Sequence, residues 1–219
     1  ATIIQPQLAT LAGVEVIPPA RPSLPSLSII IPFYNNLLAL TKAIHSLWGT
    51  IAWERTEVLV QDDASPEVNL PEVMAPAIKP PLKIARNQTN LGFSGNCNAA
   101  VARAKGDYIC LFNQDLRAIT PGWADAMLSL FEFNPNVGVG GPKLLFPPEA
   151  GEGIQSCGGL FDAGKGPFHR FLGWQNIKDA RVNTSERVSW ITGACLMTSR
   201  ADYVGSGGLD GDTYPGGYF

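Results

Sequence analysis

The triplet Asn113-Gln114-Asp115 follows directly on the apolar run Tyr108-Ile109-Cys110-Leu111-Phe112. A carboxylate just past a buried strand stands at the edge where an open α/β sheet binds its ligands, and it offers hard oxygen to a divalent cation. Three further apolar runs end in similar polar residues: Ser28 to Phe33 leads into Tyr34-Asn35-Asn36, Glu57 to Val60 into Gln61-Asp62-Asp63, and Leu82 to Ala85 into Arg86-Asn87. As parallel strands of one sheet their ends share one rim, which makes neighbours of Tyr34, Asp62, Asn87 and Asp115 across sequence gaps of roughly 25 to 30 residues. An aromatic ring with carboxylates and amides, and no strong cationic clamp, suits a nucleoside diphosphate held through Mg2+ or Mn2+, the metal neutralising a pyrophosphate that the protein's own charge would repel. An Asn-x-Asp by itself also fits an Asx turn closing a strand. Its place at the end of a fourth strand favours the metal.

The elements that must position these residues alternate along the chain. Asn36 caps a helix whose apolar residues Leu37, Leu40, Ile44, Leu47 and Trp48 repeat every 3.6 positions. The Pro-rich stretch 71 to 81 makes the second crossover irregular or only briefly helical. Ser94 is read as the cap of a third helix, with Cys97, Ala100, Val101 and Ala104 on one face and Gly106 as its stop. Thr120-Pro121 opens a fourth helix with Trp123, Met127, Leu130 and Phe131 inward. A short strand starts at Val137-Gly138-Val139, residues 146 to 176 read as a long glycine-rich mobile loop, and a final strand spans Val188 to Thr198. The fold class is therefore α/β, an open and mostly parallel sheet flanked by helices. Residues 1 to 26, with Pro6, Pro18, Pro19, Pro22 and Pro25, are expected to be an extended leader or linker, and residues 27 to 219 the folded domain.

Composition narrows the function further. The 219 residues are 45% hydrophobic, enough for one substantial core. A net charge of −3 and no basic run argue against a nucleic-acid surface. No stretch approaches the ~18 apolar residues of a membrane span, and the N-terminus lacks a basic region followed by an apolar one, so the piece is expected to be soluble. Cys97, Cys110, Cys157 and Cys195 have no CxxC spacing and read as reduced, small apolar side chains, not a zinc site. His45 and His169 lack partners nearby in sequence and read as surface or half-buried imidazoles. The first strand runs into Pro32-Phe33-Tyr34-Asn35-Asn36 without Gly-x-Gly-x-x-Gly, which excludes a dinucleotide-binding dehydrogenase, and a P-loop is also missing.

Taken together, Ser28-Ile-Ile-Ile-Pro-Phe-Tyr-Asn35, Asp62-Asp63-Ala-Ser65, Arg86-Asn87, Asn90-Leu-Gly-Phe-Ser-Gly-Asn96-Cys-Asn98, Asn113-Gln-Asp115 and Thr192-Gly-Ala-Cys-Leu196 resemble family 2 glycosyltransferases of the GT-A fold. The likeness covers roughly residues 27 to 219, in order, and is nearest to the bacterial rhamnosyltransferase-like branch. It implies that Pro32 and Tyr34 shape the pocket for a base and that Asp62 accepts from the ring N–H. It implies also that Asn87, Gly92, Asn96 and Asn98 line nucleotide and sugar, and that Trp190, Thr192 and Gly193 sit on the acceptor side. Asn113 stands where many relatives carry the first acid of Asp-x-Asp, and Asp115 where they carry the metal-bound one. Quieter readings stand beside these: Tyr34 covering the sheet edge, Asp62 and Asp63 capping a turn, Asn96 and Asn98 satisfying donors of a first helical turn, Trp190 as a core aromatic.

The resemblance further implies an inverting, Mg2+- or Mn2+-dependent transfer of a sugar from a nucleotide-diphosphate sugar to a hydroxyl of a glycan or lipid-linked acceptor. Such a protein would work in the cytoplasm at the inner face of the membrane, with peripheral membrane association through parts outside this chain. Relatives follow the aromatic stretch corresponding to Gly217-Tyr218-Phe219 with an acidic pair that supplies the catalytic base. That base is expected beyond Phe219, and its loss would remove ~10²–10⁴-fold in rate. The alternative is a fragment or pseudo-enzyme domain that binds nucleotide sugar without turnover.

Overall fold

The computed structural model describes residues 24–74, 82–164 and 166–214. Most of the Pro-rich leader, residues 75–81 of the second crossover and the Gly217-Tyr218-Phe219 stretch lie outside the described residues.

Six strands form the main sheet in the order β3-β2-β1-β4-β10-β5. They are β1 (Leu27–Phe33), β2 (Thr56–Asp62), β3 (Leu82–Arg86), β4 (Tyr108–Phe112), β5 (Val139–Gly140) and β10 (Cys195–Ser199). The pairs β1·β2, β1·β4 and β2·β3 are parallel, whereas β10 runs antiparallel to both β4 and β5, giving the mixed, mostly parallel sheet that the sequence predicts. Every residue of β1 is buried, as a near-continuous apolar run covered on both faces must be. Its side chains alternate between two cores. Ile29, Ile31 and Phe33 pack with Val58, Val60, Cys110 and Phe112 against α1 (Leu37–Leu47) and α4 (Trp123–Phe133). Ile30 joins Leu59, Ile109 and Leu111 against α3 (Gly92–Val101) and Tyr203 of α5 (Arg200–Gly205).

The helix starts show where local signals were overruled. Asn36 does cap α1, its side chain accepting from Ala39 N–H at 3.1 Å. The Pro-rich crossover holds a five-residue helix, α2 (Leu70–Met74). α3 begins at Gly92, two residues before Ser94, which makes no cap bond; at its entrance the Leu91 N–H donates to Asp63 Oδ1 at 2.8 Å. α4 begins at Trp123, since Gly122 adopts φ 74° and places Pro121 in the turn before the helix, not at its first position.

Residues 146 to 176 are not a structureless loop. They carry β7 (Ile154–Ser156), which pairs with β6 (Leu144–Leu145), and the hairpin of β8 (Gly159–Asp162) and β9 (Gly166–His169). These pairs gather around a small core of Ile154, Cys157 and Val182. Strands of two to four residues are too short to print an alternating pattern, and glycines at positive φ such as Gly158 and Gly166 make the turns between them. The final strand starts only at Cys195, and Trp190 instead makes an isolated bridge to Gly159. Among the described residues no helix is long and apolar enough to cross a membrane.

Candidate functional site

The crevice of the sheet lies between β1 and β4, on either side of which the strand order reverses, the usual ligand position in open α/β sheets. Pairing between these strands ends at Ile30 and Leu111. Pro32 therefore falls where β4 no longer requires a donor, and its missing N–H costs nothing on that side. Its ring is buried within β1, so it shapes the rim through the backbone and not as a pocket wall. Beyond the last pair the Gln114 side chain spans the gap, Oε1 accepting from Tyr34 N–H at 3.0 Å and Nε2 donating to Tyr34 O at 3.3 Å. Asp63 N–H donates to Phe33 O at 2.9 Å, Asn87 N–H to Asp62 O at 2.8 Å, and Asn113 N–H to Ala194 O at 2.9 Å. The turns after β1, β2, β3 and β4 are thus hydrogen-bonded in series, and Tyr34, Asp62, Asn87 and Asp115 share one rim. Gln114, the clamp between the first and fourth turns, went unremarked in the sequence although it sits inside the triplet.

Beneath the rim the polar groups are mutually satisfied. Asp62 is 0% exposed: Oδ1 accepts from Ser65 N–H at 3.0 Å, and Oδ2 forms an ion pair with Arg86. Arg86 also donates to Val68 O and Ser65 O, each at 2.9 Å. Ser65 Oγ in turn accepts from Asn35 N–H at 2.9 Å. Asp62 therefore faces inward as a clasp for the 63–68 loop, where the sequence had it meeting a ligand ring. Asn35 and Ala64, at φ 60° and 57°, hold the left-handed backbone that L residues adopt only when surroundings impose it, and both lie in these turns.

A second network joins Asp63, Asn87, Asn96, Gln61 and Arg103. Asn87 Nδ2 donates to Asp63 Oδ1 at 2.8 Å and to Asn96 Oδ1 at 2.9 Å, Asn96 Nδ2 donates to Gln61 O at 2.9 Å, and Gln61 Nε2 donates to Asn87 Oδ1 at 2.7 Å. Arg103 closes it by donating to Gln61 Oε1; burial pulls its guanidinium below the usual value while Glu57 acts the other way. A buried network with every member paired is rigid, so Asn87 and Asn96 form the layer under the rim. Gly92 opens α3 at φ 72°, its N–H donating to Asn90 Oδ1 at 3.0 Å. Asn98 ties α3 to the turn after α5, accepting from Tyr203 OH at 2.6 Å and Leu209 N–H at 3.0 Å. Gln61 and Asp63 stand among the polar residues the sequence places at the end of β2, with Asp63 read there as a turn cap; Arg103 was not singled out, and only the fold brings it to them.

Two groups at the rim stand apart from this economy. Asn113 Oδ1 is buried with no hydrogen-bond partner among the described residues, and Asp115 is exposed, lining a cleft of about 210 Å³ with Asn36, Leu38, Ala39, Lys42 and Arg117. An unsatisfied buried carbonyl oxygen costs ~1–3 kcal/mol, which a cation can recover. No group of three or more His, Cys, Asp or Glu among the described residues could enclose a metal. A carboxylate and an amide oxygen fit Mg2+ or Mn2+ of the kind that takes one or two protein ligands and completes its shell with phosphate and water. Tyr34, whose backbone Gln114 holds, is 46% exposed.

On the other flank Thr192 and Gly193 precede Ala194, whose carbonyl holds Asn113. Trp190 lies against the Cα of Gly159, donates from Nε1 to Leu160 O at 3.3 Å, and meets His169 edge-on with centroids 4.6 Å apart. That makes it a structural aromatic fastening the β8–β9 hairpin to the strand beside the rim. A Cβ at position 159 would overlap the indole, so Gly159→Ala is expected to lower unfolding free energy by ~1–3 kcal/mol in urea titrations followed by tryptophan fluorescence. Burial lowers the His169 imidazole pKa from its ordinary value of 6.5. The unfolded chain then binds a proton more readily than the folded one, so this stabilisation is full above about 6.5 and is lost as pH falls below it. Thermal midpoints should decline between pH 7 and 5, and His169→Gln should reduce that slope.

The parallel core with an antiparallel flanking strand, and a polar rim over the β1–β4 crevice, are the arrangement of the GT-A fold. The family model described as "Glycosyl transferase family 2" matches residues 28–158, and the chain belongs to that family. It is 26% identical over 188 residues to "O-antigen biosynthesis protein RfbC" of Myxococcus xanthus, covering 85% of this chain and 15% of that protein. It is 27% identical over 149 residues to an "N-acetylglucosaminyl-diphospho-decaprenol L-rhamnosyltransferase" of Mycobacterium tuberculosis, covering 60% of this chain and 48% of that one. The chain thus spans less than half the length of either relative. The fold also matches the crystal structure of GalNAc-T7 with UDP, GalNAc and Mn2+, with a TM-score of 0.66 and 15% identity over 86% of this chain and 38% of the other. These likenesses agree with the resemblance drawn from the sequence motifs.

Proposed function

We propose that this chain is the donor-binding domain of an inverting glycosyltransferase that moves a sugar from a nucleotide-diphosphate sugar to a hydroxyl of a glycan or lipid-linked acceptor, with Mg2+ or Mn2+. The observation that carries the reading is the contrast at the rim. Asp62, Asp63, Asn87 and Asn96 are paired with Arg86, with one another or with backbone, whereas Tyr34 and the Asp115 carboxylate are exposed and Asn113 Oδ1 is buried without a partner among the described residues.

In this reading Tyr34 stacks on the base, and the Asp62–Arg86 clasp and the Asn87–Asn96 layer hold the turns in place without touching it. Asp115 and Asn113 Oδ1 would hold the metal, which would supply positive charge to the diphosphate of the leaving group. The acceptor hydroxyl oxygen attacks the anomeric carbon, the bond from that carbon to the phosphate oxygen breaks, the nucleoside diphosphate departs, and the hydroxyl proton passes to a base. Thr192 and Gly193 stand on the acceptor flank, with Trp190 supporting them. The lipid-linked acceptor is supported by the name of one relative, an N-acetylglucosaminyl-diphospho-decaprenol L-rhamnosyltransferase.

The test is transfer and donor hydrolysis by this chain and by one extended past Phe219, using UDP-, dTDP- and GDP-sugars with Mn2+. Turnover in either supports the reading. Turnover only in the longer chain assigns the base to it and this chain to binding, whereas folded protein without turnover in both forms rejects the enzymatic reading.

A further inference from the structure

The cleft beside Asp115 has a chemistry that the sequence did not announce. Its walls are the first turns of α1, which contribute Asn36, Leu38, Ala39 and Lys42, and the segment after β4, which contributes Asp115 and Arg117. Leu38 and Lys42 are four residues apart and so share one face of α1. The opposing segment is pinned to that helix, Ala118 N–H donating to Ser46 Oγ at 2.9 Å. Two cations from two separately anchored elements therefore flank one cleft. Among the described residues Lys42 has no ion-pair partner, and Arg117 pairs only with Glu149, at 3.9 Å with both side chains about half or more in water, a contact worth little.

We propose that Lys42 and Arg117 form a subsite for the phosphate oxygens of a diphosphate, next to the carboxylate that the proposed function gives to the metal. The inference deepens that reading and rests on it for the nature of the ligand. Of the charged groups that line the cleft two are cations and one is a carboxylate, with Glu149 outside the lining and only loosely at Arg117, and a metal at Asp115 would add positive charge. Arg117 offers the planar fork that suits phosphate and Lys42 a mobile point charge, a complementary pair for a group with several oxygens. Diphosphate could arrive on the nucleotide or on a lipid-linked acceptor. Leu38, in the cleft and 66% exposed, and Ile119, two residues from Arg117 and 72% exposed, supply apolar surface that suits the lipid-linked source.

Calorimetry tests this first with inorganic pyrophosphate, on wild-type protein, Lys42→Gln, Arg117→Gln, the double variant, and Lys178→Gln as an exposed control. The double variant should bind pyrophosphate at least tenfold more weakly, each single variant should show part of the loss, and the control should match wild type. The same proteins are then titrated with a nucleoside diphosphate and with a short-chain prenyl diphosphate. A loss confined to the first assigns the subsite to the donor, and a loss confined to the second to the acceptor. Equal pyrophosphate binding by wild type and double variant, no pyrophosphate binding by wild type, or an equal loss in the Lys178 control overturns the proposal. If nucleotides fail to bind while pyrophosphate still depends on Lys42 and Arg117, the subsite stands and the donor reading falls.

Discussion

Asp115→Ala should abolish the Mn2+ dependence of nucleotide-diphosphate binding and lower affinity in saturating Mn2+ by ~100-fold or more, the scale on which single preorganised electrostatic groups act at such sites. The reason is local. After β4 the rim offers one exposed carboxylate, Asp115, two residues from Asn113 with its buried, unpartnered amide oxygen, and among the described residues no group of three or more acidic, histidine or cysteine side chains could hold a metal. Asn113→Ala should have a smaller effect in the same direction, because it removes the second oxygen but leaves the charge. Stability should scarcely change in Asp115→Ala, since an exposed carboxylate is not part of the packed core. Titration of UDP, dTDP and GDP with and without Mn2+, beside a thermal melt, separates loss of binding from loss of fold. Unchanged metal dependence would assign the cation elsewhere.

Asp62→Ala should act the other way, chiefly on stability. Removing one partner of a buried ion pair costs ~3–5 kcal/mol, and because the Arg86 side chain is 29% exposed the lower end applies, about 3 kcal/mol. The substitution leaves Ser65 N–H without its acceptor and frees Arg86 from the one carboxylate that orients it toward Ser65 O and Val68 O. The 63–68 loop then loosens, and with it Asn35, which Ser65 Oγ holds in its left-handed conformation. Nucleotide affinity should fall only in proportion to the loss of ordered protein. Asp62→Asn, which keeps an oxygen for Ser65, should be milder. Urea unfolding curves for the three proteins give the comparison; a variant as stable as wild type but deficient in binding would restore Asp62 to direct ligand contact.

Much of this arrangement was legible in the chain. A buried β1 flanked by apolar runs that end in Tyr34, Asp62, Asn87 and Asp115 forces those residues to one edge, because parallel strands connected through helices present their C-terminal ends together. What a strand end does not reveal is the direction of a side chain. Asp62 and Asn96 are charged or polar residues in a motif, yet burial turns them inward to partners, Arg86 and Asn87, that are distant in sequence. The same limit hid Gln114 and Arg103, whose roles are contacts between turns and elements.

Local signals also lost to tertiary context at the helix starts. Ser94 is a good cap by type, but α3 starts two residues before it, at Gly92, where Asp63 anchors the entering Leu91 N–H. The region 146 to 176 reads as loop because β6 to β9 are short and turn on glycine. Trp190 reads from its type as a core aromatic and from the family resemblance as an acceptor contact, and its seat on Gly159 fits the first. Lys42 and Arg117 are ordinary surface cations until the packing of Ala118 against Ser46 sets them across one cleft.

The central claim is spatial: a metal-bridged sugar nucleotide occupies the crevice over β1 and β4. Its most direct test is a crystal structure of the protein soaked with a nucleoside diphosphate and Mn2+, with data collected at the manganese absorption edge. The account predicts an anomalous peak against Asp115 and Asn113 Oδ1, with the base beside the Tyr34 ring. A manganese peak and nucleotide density away from this rim, in crystals where the rim is open to solvent, would contradict it.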